Sequence, residues 1–106
     1  MAYRGSIPMG SRVDVELQVA GPALGSALLA VSFADNGGGT RTDSQSVAPQ
    51  ASGRCGVQTG VGVTGLLRVW VDFHGKDRGR LTVYVNGRLH DDASIEGDTT
   101  WAYSLS

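Results

Sequence analysis

Two large aromatic residues, Trp70 and Tyr84, stand on the polar side of two alternating segments. Leu67, Val69, Val71 and Phe73 alternate with Arg68, Trp70, Asp72 and His74, and Leu81, Val83 and Val85 alternate with Arg80, Thr82, Tyr84 and Asn86. Each segment therefore reads as a strand with one apolar face. Paired as a hairpin with Phe73 opposite Leu81, they set Asp72 against Thr82, Trp70 against Tyr84 and Arg68 against Asn86, with His74 and Arg80 at the rim. One face then carries two aromatic rings among Asp72, Asn86, Arg68 and His74. Sugar recognition uses that mixture, because a ring plane accepts the C–H face of a pyranose while forked polar groups take its hydroxyls. The expected ligand is a carbohydrate. The same residues also read as a cross-strand aromatic pair covered by other strands, stabilising the sheet by ~0.2–1 kcal/mol.

Other chemistries have fewer supporting residues. Asp35, Asp43, Asp91, Asp92, Glu96 and Asp98 fall in loop-like stretches. Calcium takes roughly six to eight oxygens, several of which Asp91 and Asp92 with Glu96 could supply; Asp35, Asp91 and Asp92 are taken as the candidate metal ligands, although turn carboxylates have the same appearance. His74, His90 and Cys55 fall short of any zinc spacing. Cys55 with His74 would be a nucleophile and its base, but Cys55 lies on the apolar side of its segment, where cysteine behaves as a small hydrophobe. A sandwich glycosidase needs two facing carboxylates, for which Asp72 with Asp14 or Glu16 are the candidates. Gly60-Val61-Gly62-Val63-Thr64-Gly65 matches a dinucleotide fingerprint in letters, but strand-like Leu66-Leu67-Arg68-Val69 follows it instead of a helix. No Gly-x-Ser-x-Gly elbow occurs. The expectation is a binding domain and not an enzyme.

The elements that must position these residues are all strands. Val13 to Val19 alternates apolar and polar without a fault, and Gly21-Pro22 breaks it. Ala27 to Ala34 is a short apolar run favouring a strand buried on both faces. Residues 35–53 read as a long loop with one short edge strand near Ser46-Val47-Ala48. Cys55, Val57, Thr59, Val61 and Val63 alternate with Gly56, Gln58, Gly60 and Gly62, a strand with a nearly bare face that backbone or another sheet could approach. Gly75 to Gly79 reads as a five-residue hairpin loop. Asn86-Gly87 signals a two-residue type I′ turn leading into a strand from Arg88 to about Ile95. Trp101, Tyr103 and Leu105 mark a last strand, and residues 1–12 read as an irregular lead-in. Nothing has helical periodicity. An all-β antiparallel sandwich spanning residues 1–106 as one domain follows.

Composition narrows the partners. With 9 basic and 10 acidic residues the formal charge is −1, which supplies no basic surplus for nucleic acid. No apolar stretch is long enough for a transmembrane helix, and the first residues lack a hydrophobic signal core. One cysteine cannot form an internal disulfide. The rival to a sugar-binding domain is a structural or interaction sandwich that forms homo-oligomers through an edge strand, for which 13–19, with Asp14, Glu16 and Gln18 outward, is the candidate.

Residues 66–95 also carry a resemblance. Leu-Arg-Val-Trp-Val-Asp-Phe-His-Gly, a short loop, and then Gly-Arg-Leu-Thr-Val-Tyr-Val-Asn-Gly-Arg-Leu resemble the central hairpin of concanavalin A-like domains, the legume-type lectins and laminin G-like modules. Upstream, Leu29 to Asp35 resembles the strand before the legume-lectin metal loop, with Ser32 and Ala34 standing where its metal-binding acids would be. The resemblance implies a minimal jelly-roll sandwich, carbohydrate binding as the commonest activity, a calcium ion in many members, and a secreted or extracellular setting.

Overall fold

The computed structural model describes residues 2–20, 26–73 and 77–106. Among them nine strands form and no helix: β1 (Ala2–Ile7), β2 (Arg12–Val19), β3 (Ala27–Asp35), β4 (Thr40–Val47), β5 (Ser52–Gln58), β6 (Gly65–Asp72), β7 (Arg78–Val85), β8 (Arg88–Glu96) and β9 (Thr99–Leu105). They build a five-stranded sheet of order β1-β9-β6-β3-β4 and a four-stranded sheet of order β5-β2-β7-β8. The two sheets pack face to face as a β-sandwich. Neighbours are antiparallel except β1, which runs parallel to β9.

Alternation decides what lies between the sheets. Val13, Val15 and Leu17 of β2, Leu81 and Val83 of β7, Leu29, Val31 and Phe33 of β3, and Leu67, Val69 and Val71 of β6 are buried in one cluster with Phe73, Val85, Trp101 and Tyr103. Burying a side chain of this size is worth about 1.5–3 kcal/mol, so these inward rows drive the fold. The Asn86-Gly87 turn forms as expected: Val85 pairs with Arg88, and both turn residues have positive φ, 52° and 80°. That backbone favours asparagine followed by glycine.

Three expectations are corrected. β6 and β7 are not hairpin partners: β6 lies between β3 and β9, and β7 between β2 and β8, so the connection crosses from one sheet to the other. Alternation identifies the buried face of a strand but not its neighbours, and two inward rows meet equally well across the core as side by side. Second, β2 is no edge strand, since β5 and β7 pair with its two sides and leave it no free edge for assembly. Third, the lead-in and the long loop contain strands β1 and β4. β1 hides behind a bulge at Arg4, and β4 buries only Val47. The Gly21-Pro22 break, His74 and the first half of the expected 75–79 loop lie outside the described residues.

Candidate functional site

The expected site residues divide between the two outer faces. Trp70 is half-buried on the outside of the five-stranded sheet, opposite Ala30 on one side and Thr100 on the other. Arg68 and Asp72 project from the same face, and among the described residues neither side chain forms a hydrogen bond or ion pair. Tyr84 lies on the outside of the other sheet, opposite Asp14, with the Arg54 guanidinium 4.5 Å above its ring. Trp70 and Tyr84 therefore do not share a surface. Asn86 serves the turn: its Oδ1 accepts the Arg12 amide at 2.9 Å, and its own amide donates to the Arg12 carbonyl at 2.8 Å.

The two faces are chemically unlike. Around Trp70 the outward positions are Leu28, Ala30, Ser32, Ser44, Leu66, Thr100 and Ala102, small or hydroxyl-bearing for the most part. Ala30 and Ala102 are only 1% and 2% exposed although they point away from the core, so longer neighbours cover them. Around Tyr84 stand Arg12, Asp14, Glu16, Arg54, Arg80 and Asp92, with ion pairs Arg12–Asp14 at 3.3 Å and Arg80–Asp92 at 2.5 Å. Carboxylates for glycosidase chemistry are not brought together, because Asp72 is on one outer face and Asp14 and Glu16 are on the other.

The candidate calcium ligands do not converge, and each already has at least one oxygen engaged. Asp35 Oδ1 accepts the Gly37 and Gly39 amides, both at 2.8 Å, as an Asp-capped turn between β3 and β4. Asp92 holds Arg80. Asp91 is bracketed by Arg4, whose Nε and Nη2 each donate at 2.8 Å, and by the Tyr103 hydroxyl, which donates at 2.7 Å. Among the described residues no group of three or more histidine, cysteine or acidic side chains could hold a metal ion. These residues do not fit calcium.

The Asp91 cluster is one that the sequence reading missed. Arg4 is the extra residue of a bulge between Tyr3 and Gly5, and His90 is the extra residue of a bulge between Leu89 and Asp91. Bulges re-aim side chains at sheet edges, and these two face each other across the open side of the sandwich. The Arg4 guanidinium lies 4.3 Å from the Trp101 ring, and His90 meets the Tyr103 ring edge-on at 5.9 Å. Hydrogen bonding by Arg4, aided by Tyr103 and opposed by burial, holds the Asp91 carboxyl below its ordinary range. Burial and the bond to Asp91 push the Tyr103 hydroxyl well up. The one available signal was Tyr103 itself, since an inward tyrosine needs a partner for its hydroxyl.

Beside this cluster an open cleft of about 780 Å³ separates the end of β1 from the β7–β8 turn, with Pro8, Val85, Arg88, Leu89 and His90 in its walls. Cys55 is buried at 6% exposure, and burial pushes its thiol up to about 12. A thiol held in that state is no nucleophile near neutral pH.

Comparison with protein families, with curated proteins and with solved structures finds no match to this chain. No helix among the described residues is long and apolar enough to cross a membrane.

Proposed function

We propose that this β-sandwich is a non-catalytic, lectin-like carbohydrate-binding domain that uses the outer face of its five-stranded sheet. The observation that carries the reading is Trp70, half-buried on an outer face of mostly small and hydroxyl-bearing residues, with Arg68 and Asp72 two positions to either side. A tryptophan on a solvent-facing sheet offers a ring plane to a sugar, and the two charged side chains offer hydroxyl contacts. The likeness of residues 66–95 to concanavalin A-like jelly rolls supports the same substrate class. Tyr84 lies outside this site, and so does Asn86.

A shallow face of this kind binds weakly, with Kd between millimolar and micromolar, roughly −4 to −8 kcal/mol. Isothermal titration against a panel of mono- and oligosaccharides tests the reading with the wild type, Trp70→Ala and Tyr84→Ala. Saturable binding lost in Trp70→Ala and kept in Tyr84→Ala is the expected result. No binding at millimolar sugar, or binding untouched by Trp70→Ala, overturns it.

A further inference from the structure

The cleft between β1 and the β7–β8 turn is lined by residues that the Trp70 face does not use. The bulge at His90 changes the phase of β8, so that Leu89 is left 63% exposed and both side chains border the cleft. Arg88 forms no ion pair among the described residues, whereas the neighbouring acids are occupied: Asp91 by Arg4 and Asp92 by Arg80. No acidic side chain lines the cleft; Pro8 and Val85 give it an apolar wall, and Ser6, Asn86 and Ser106 complete its lining. Its volume falls within the roughly 300–1,000 Å³ of small-molecule sites.

We infer that this cleft binds a small organic carboxylate with a short apolar body. Arg88 presents the forked donors that match a carboxylate, His90 adds a ring N–H, and Leu89, Pro8 and Val85 take the hydrocarbon part. The inference is independent of the Trp70 reading, because the cleft and that face are on different parts of the surface.

Amide-resolved NMR titration of the full chain with hexanoate, hexanol and inorganic phosphate tests it. Hexanoate is expected to shift the Arg88–His90 amides saturably and to bind at least about tenfold more tightly than hexanol, the usual weight of a charge-assisted hydrogen bond. Arg88→Gln is expected to remove that advantage without moving the Trp70 signals. Equal affinity for acid and alcohol, or no saturable shift at concentrations on the order of 10 mM, overturns the proposal. Phosphate binding as tightly as hexanoate overturns it too, since the apolar wall would then contribute nothing. Should Arg88→Gln fail to fold, the acid-to-alcohol ratio on the unaltered chain decides alone.

Discussion

The sandwich has two open sides, and they are closed by opposite means. Where β4 and β5 meet, the gap is narrow and the backbone itself comes close. A Cβ added at Gly53 would stand 2.6 Å from Val47 Cγ2, and the Gly56 amide donates to Asp43 Oδ2 at 3.0 Å. Where β1 and β8 face each other, long side chains span the distance, with Arg4 reaching from one sheet to Asp91 on the other. Close approach of backbone leaves no room beside it. A bridge of long side chains does leave room, and the cleft lies alongside that bridge. The difference places the larger cleft on the β1–β8 side and the close approach of main chain on the β4–β5 side.

Removing the bridge has the largest expected effect. Asp91→Ala leaves the Arg4 guanidinium and the Tyr103 hydroxyl without their acceptor, at side-chain exposures of 32% for Arg4 and 19% for Asp91. Breaking a fully buried pair costs more, and partial exposure reduces this to about 3 kcal/mol. Chemical denaturation checks it. A loss under 1 kcal/mol, which is about the worth of one exposed pair, would show that the β1–β8 side is held by packing alone. The narrow side is tested by Gly53→Ala. Its new methyl meets Val47, itself 1% exposed, and a crowded core position costs about 2 kcal/mol. If that variant is as stable as the wild type, β5 can move away from β4, and the contrast between the two sides disappears.

Much of this architecture was legible in the residues, for reasons that also explain what was not. Six strands could be read because each buries inward side chains: Val13 to Leu17 and Leu81 to Val85 repeat every second residue, and burial enforces that period. β8, which buries only Ile95, was legible through the Asn86-Gly87 turn before it. β4 has no such row. Thr40 to Ser46 are exposed, and the strand exists because its backbone pairs with β3, which composition does not record. β1 was obscured because the bulge at Arg4 interrupts its alternation. The strand read over 55–63 forms only as far as Gln58: Thr59 to Thr64 lie outside any strand, Val61 is 87% exposed, and the close approach comes from Gly53, on the opposite row from the bare glycines. The assembly of Trp70 with Tyr84 required neighbouring strands. Their shared core position is as compatible with opposite sheets, which is what the fold adopts. Arg4, Asp91 and Tyr103 meet from chain positions far apart, where no spacing rule operates.

The smallest expected effect separates the charge in the bridge from its packing. Tyr103→Phe keeps the ring in the core and removes only the hydroxyl that donates to Asp91, so it costs about 1 kcal/mol near neutral pH. Asp91 is held below its ordinary value, with Arg4 as the main cause. Its contribution is therefore complete above the unfolded value near ~3.9 and is lost as pH falls through the lowered folded value. Tyr103 supplies part of that lowering, so removing its hydroxyl moves the folded value of Asp91 back upward. The stability gap between wild type and Tyr103→Phe should then be constant from pH 7 down to about pH 4 and narrow below it, as the carboxylate that accepts the bond becomes neutral. Urea midpoints at a series of pH values measure this. A gap that stays the same through the acid range would mean that the hydroxyl contributes by packing, and that Arg4 alone joins the two sheets at this side.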